Sequence, residues 1–158
     1  VAIEFTVQIT AGRPASALVE SVAAVARDLA LLGPDADPAQ LLDGLDLANG
    51  TWLRVRDDHP QPWQTVPAAL GFTSDVSLYF RLDKWQDLTA QQDDLIRLSL
   101  GLLDHVPGDM VLHREYETAW FVRKAGVLTL TDLADRWTPE RLAWVTHPYQ
   151  RAFIDLDA

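Results

Sequence analysis

The chain has 158 residues, the usual size of one domain, and its 48% hydrophobic and 23% charged content is that of an ordinary globular protein. It has no cysteine, which removes disulfides, zinc–thiolate sites and thiol nucleophiles together. Its formal net charge of −10, from 23 acidic and 13 basic residues, disfavours nucleic acid or an anionic membrane as a direct partner and permits a basic protein one.

The opening Val1-Ala2-Ile3-Glu4 carries no basic or apolar leader, so no signal peptide is expected. No apolar run reaches the ~18–20 residues that span a bilayer, and a cytoplasmic protein is expected. Ile3, Phe5, Val7 and Ile9 alternate with polar residues, the period of a strand with one buried face. Pro14 to Leu32 repeats Leu18, Val22, Val25 and Leu29 at helical spacing until Gly33-Pro34 stops it. Asp37-Pro38 opens a short helix with Leu41, Leu42 and Leu45, and Asn49-Gly50 is a turn before a strand at Thr51 to Arg56. The prolines at 60, 62 and 67 predict an irregular surface segment.

Val76, Leu78, Phe80 and Leu82 mark the next strand. Thr89 and Gln92 read as a capping box for a helix that ends near His105, with Asp93 and Asp94 in its first turn. Three short strands follow, from Met110 to Glu115, Ala119 to Lys124 and Val127 to Thr131, with Ala125-Gly126 turning between the last two. Thr138-Pro139-Glu140 caps a short helix, and Tyr149 to Ala158 is a tail with Phe153 and Ile154 as anchors. The order predicts an α+β fold over 1–158 as a single domain. A mainly antiparallel sheet of five to six strands would carry two longer helices on one face.

Catalytic motifs are missing. His59, His105, His113 and His147 lack metal-ligand spacing and read as surface or rim residues. Asp83 and Asp87 flank a strand-to-helix connection, as caps do. There is no phosphate-cradling glycine loop and no nucleophile elbow. No enzyme activity, cofactor or metal is expected. The six tryptophans are a surplus, and tryptophan serves both cores and interface hot spots. Trp63, between prolines in a loop, has no periodic reason to be buried.

Three segments carry a resemblance. They are Phe72-Thr73-Ser74-Asp75-Val76-Ser77-Leu78-Tyr79-Phe80-Arg81-Leu82-Asp83-Lys84, then Val106-Pro107-Gly108-Asp109-Met110-Val111-Leu112 with the hairpin through Gly126-Val127-Leu128-Thr129-Leu130, and Trp137-Thr138-Pro139-Glu140-Arg141-Leu142 with Pro148-Tyr149 after it. In that order and spacing they resemble the immunity proteins paired with the swarm-inhibition (Sit) toxins of myxobacteria, a family also widespread in actinobacteria. The resemblance is good over 76–149 and loose before it, and its motifs are structural. It implies a cytoplasmic antidote that binds a cognate toxin, and it brings no binding residues with it.

The contact residues are therefore read from chemistry and expected exposure. Asp57, Asp58 and Trp63 on the proline-rich loop form one set, and Glu115, Tyr116 and Glu117 at a hairpin turn form the other. Carboxylates would suit the basic groove of a nuclease toxin. The alternatives are a small enzyme or ligand-binding protein of an actinobacterial pathway, or an adaptor for a larger partner. The first would need a pocket between sheet and helices with His113 or Asp104/His105 pointing inward.

Overall fold

The computed structural model describes residues 2–59 and 65–156. Eight strands form one sheet: β1 (Glu4–Ile9), β2 (Leu45–Asp46), β3 (Trp52–Asp57), β4 (Val76–Arg81), β5 (Met110–Arg114), β6 (Thr118–Lys124), β7 (Val127–Thr131) and β8 (Tyr149–Ala152). Their order across the sheet is β2-β3-β4-β1-β5-β6-β7-β8. Every pairing is antiparallel except β7 with β8, which is parallel. The fold is α+β as expected. The strands not foreseen are the two edge ones, β2 and β8, of two and four residues.

Helices α1 (Ala15–Asp28) and α3 (Leu88–Leu102) pack on one face. The inward residues of α1, Leu18, Val22 and Val25 among them, meet Phe5, Val7, Ile9, Leu78, Phe80 and Leu112 from the central strands. Burying an aliphatic side chain of this size contributes about 1.5–3 kcal/mol. The N-cap of α1, Pro14, has no side chain to offer, so the Asp57 carboxylate accepts from the Ala15 N–H at 2.8 Å.

The capping box expected at Thr89 and Gln92 is replaced by an earlier cap. Asp87 accepts from Ala90 N at 3.0 Å, so the helix already includes Leu88 and Thr89. Asp93 and Asp94 consequently sit a turn further in, where Arg141 and Asn49 partner them at 2.9 and 3.0 Å. The Arg141 contact ties α3 to α4 (Pro139–Leu142), whose predicted cap is present: Thr138 Oγ1 accepts from Arg141 N at 3.3 Å.

The segment expected to be irregular contains a short helix, α2 (Thr65–Ala69), with Val66 and Pro67 buried. Residues 60–64 lie outside the described ones. The tail is a strand because β7 offers it an unpaired edge. Of its expected anchors Ile154 packs against the sheet, whereas Phe153 is 72% exposed. Among the described residues no helix is long and apolar enough to cross a membrane.

Candidate partner-binding face

The sheet's other face is divided. Over β5 and β6, Val111, Ala119 and Val122 are covered by Val66 and Phe72, with Leu70, Ile154 and Leu156 against them. Over β3, β4 and β1 the face is polar. Alternation along each strand sends every second residue to this side. Pairing then aligns them in rows: Trp52–Arg81–Glu4, then Arg54–Tyr79–Thr6–His113, then Arg56–Ser77–Gln8–Val111. Arg56 and Arg81 are exposed, while Trp52, Arg54, Tyr79 and Glu4 are half-buried.

Trp52 and Tyr79 meet edge to face, with ring centroids 6.0 Å apart. The Arg81 guanidinium stands 5.5 Å from the first ring and 5.8 Å from the second, within cation–π range. Gly44, at φ 101°, leaves room for the Trp52 ring, since a Cβ there would fall 2.1 Å from Trp52 Cζ2. Burial, and after it the hydrogen bond with Glu4, raises the Tyr79 phenol above its ordinary pKa of 10.0. A recess of about 300 Å³ lies among Trp52, Arg54, Arg56, Tyr79 and Arg81.

Beneath the inner rows runs a chain of buried hydrogen bonds. Tyr116 N points to His113 Nδ1 at 3.4 Å, and His113 Nε2 lies 2.9 Å from Gln8 Oε1. Gln8 Nε2 donates to Asp58 Oδ2 at 3.1 Å, and Ser74 Oγ donates to the same oxygen. This assigns the proton of His113 to Nε2, because Gln8 has only its carbonyl left to offer. His113 is not the rim residue expected. It is fully buried, and that burial lowers its pKa from 6.5 to about 4. Ser74 donates to a carboxylate, and Gln8 stands between His113 and that carboxylate, so this chain of hydrogen bonds does not pair the Ser74 hydroxyl with the His113 imidazole.

Three of the residues singled out in the sequence converge here. Asp58, Glu115 and Tyr116 line one pocket of about 110 Å³ with Thr6 and Ser77. Asp58 is buried and held by the chain just described, while Tyr116 is 57% exposed. Glu115 and Tyr116 form the β5–β6 turn with φ of 51° and 64°, a left-handed pair that costs about 1–2 kcal/mol per non-glycine residue. Glu117 is exposed beside them and does not line the pocket. Asp57 turns to α1, and Trp63 lies outside the described residues.

Asp104 and His105 are exposed, and His113 lies on the face away from α1 and α3, so neither points into a space between sheet and helices. Among the described residues no group of three or more His, Asp or Glu is placed to hold a metal ion. The sequence reading missed Trp52, Arg54, Arg56, Tyr79 and Arg81. The available signal was alternation: every second residue of β3 (Trp52, Arg54, Arg56) and two of the three on β4 (Tyr79, Arg81) are basic or aromatic, on the polar side of strands in an acidic chain.

No curated protein and no solved structure matches the chain. A family model described as SitI3-like matches residues 3–141. That span takes in every strand of the candidate face, reaches into the N-terminal half, and stops before β8. By this match the chain belongs to the SitI3-like family.

Proposed function

We propose that this protein is an immunity protein: a single-domain cytoplasmic antidote that neutralises a cognate bacterial toxin by binding it, with no catalysis and no cofactor. The observation that carries this reading is the family match over residues 3–141. Two features support it. The sheet presents a polar half-face with aromatic and arginine side chains, the residue types that dominate interface hot spots. The net charge of −10 favours encounter with a basic toxin.

Among the contacts proposed, Glu115, Tyr116 and Glu117 act from the strained turn, and Asp58 anchors that turn from below through Gln8 and His113. Asp57, the last residue of β3, and Trp63 complete the proposed contact set. The test is co-expression with the toxin encoded beside the gene. Survival of the cells and a purified stoichiometric complex are expected, and killing at full expression of both proteins overturns the reading.

The alternative, a small enzyme or ligand-binding protein, has the recesses of this face in its favour, first the polar pocket beside Asp58. At about 110 Å³ it is smaller than the roughly 300 Å³ at which small-molecule sites begin, a size that the open recess at Trp52 and Tyr79 does reach.

A further inference from the structure

The arginines of the open half-face present an unbalanced charge. Arg54 and Arg56 alternate along β3, and Arg81 stands opposite Trp52 on β4. Like charges gathered on one sheet face repel and destabilise it. The chain has 23 carboxylates. Yet among the described residues the one carboxylate within ion-pair reach of these three arginines is Glu4, 3.8 Å from Arg81 Nε. Arg54 donates only to a backbone carbonyl, that of Leu42 at 3.3 Å, and Arg56 is exposed. A molecule of net charge −10 has thus gathered three of its 13 basic side chains on this face. Glu4 pairs with Arg81, and Asp58 and Glu115 line the pocket beside Arg56 without an ion pair to it, so among the described residues Arg54 and Arg56 carry no ion-paired carboxylate.

We propose that this face is the docking surface for an acidic segment of the protein partner, laid along β3 with its carboxylates on Arg54, Arg56 and Arg81 and an apolar side chain against Trp52 and Tyr79. Arginine suits this task because its planar guanidinium binds carboxylates through two parallel hydrogen bonds. The geometry favours an extended chain over a small anion. Alternate residues of a strand are about 6.7 Å apart, so Arg54 and Arg56 match the side-chain repeat of an extended acidic segment. A compact anion would instead need donors converging on one point. The overall acidity of the protein does not oppose this, because contact charges act within about a Debye length of ~8 Å. The proposal rests on the toxin-binding reading and names the chemistry of the toxin's contact segment.

The experiment has two arms. In the first, the wild type, the double variant Arg54→Gln/Arg56→Glu and the control Lys124→Glu are compared for binding to the toxin encoded beside the gene. Gln at 54 keeps a donor for the Leu42 carbonyl, and matched melting curves establish folding. Binding at least 10-fold weaker in the double variant alone, with partial recovery in Arg54→Lys/Arg56→Lys, is expected. Unchanged binding overturns the proposal and leaves the immunity reading standing. If the wild type itself binds no toxin, that reading fails, and the second arm decides the surface. Isotope-labelled protein is titrated with a hexaglutamate peptide and separately with inorganic phosphate. Salt-sensitive amide shifts confined to β3 and β4, given by the peptide alone and lost in the double variant, support the proposal. No shifts, or equal shifts with phosphate, overturn it.

Discussion

His113 reaches diagonally across the β1–β5 pair to Gln8, with His113 Nε2 2.9 Å from Gln8 Oε1 and both side chains buried. Through this contact the turn that carries Tyr116 and the loop that carries Asp58 share one hydrogen-bonded support. The pocket between them therefore depends on the buried side chains of His113 and Gln8.

The first consequence is a pH dependence. Folded, His113 titrates at about 4; unfolded, it titrates at 6.5. Between these values the unfolded chain binds a proton that the folded one refuses. The His113 contribution to stability is thus fully present above pH 6.5, falls as the pH drops toward 4, and is lost below. The full span amounts to roughly 3 kcal/mol. Urea titrations at pH 7 and pH 4.5 check this. His113→Gln should lose about 2 kcal/mol less than the wild type on acidification. Equal losses would exclude His113 as the source.

Gln8→Ala tests the support itself. It leaves the Asp58 carboxylate with Ser74 alone and takes from His113 its Nε2 partner. Removing one partner exposes the desolvation cost of the groups left behind, about 1–3 kcal/mol each. A drop of roughly 2–4 kcal/mol in unfolding free energy is expected, with weaker toxin binding because the turn at Tyr116 loosens. A change below 0.5 kcal/mol would mean that the chain of hydrogen bonds contributes little.

Arg123 holds a different joint. It is buried on the helix side of the sheet and donates to the carbonyls of Leu103, Val106 and Gly108 where the chain leaves α3. Those carbonyls have no partner within the helix, and the dipole favours a cation there. Burial lowers the Arg123 pKa, and Asp109 and Asp104 oppose that shift. Arg123→Met should cost about 3–5 kcal/mol, measured by urea unfolding, because it strands buried acceptors. Arg123→Lys should recover part of the loss.

Legibility in the sequence follows the range of each interaction. The strand at Val76 and the helix at Leu18 are readable because one buried face imposes its period on the residues themselves. The edge strands are not. Leu45–Asp46 is too short to show a period, and Tyr149–Ala152 is a strand only because β7 offers it a parallel edge. The cap of α3 lies earlier than the capping-box pattern places it because Asp87 and Thr89 both fit a cap, and geometry chooses Asp87. Chemistry suggests Asp58 and Tyr116 separately, but their shared pocket rests on the pairings of β1 with β4 and β5. Such long-range pairings leave no local trace. Arg54 and Arg56 are visible as residues, but that neither forms an ion pair among the described residues shows only in three dimensions.

The β5–β6 turn supplies the last prediction. A β-turn whose two central residues both have positive φ favours Asn-Gly, yet here they are Glu115 and Tyr116, with Glu117 completing the three-residue connection. Asn tolerates the left-handed region better than Glu, so Glu115→Asn should relieve strain. The substitution removes only a weak interaction, the 3.4 Å hydrogen bond from Glu4 N to Glu115 Oε1. A net gain of about 0.5–1 kcal/mol in stability is therefore expected. If Glu115 contacts the toxin, the same substitution weakens binding, so stability and protection move in opposite directions. Thermal unfolding and a toxin-survival assay on the one variant measure both. A variant that is more stable and equally protective would remove Glu115 from the interface, while one that is less stable would show that the turn is not strained.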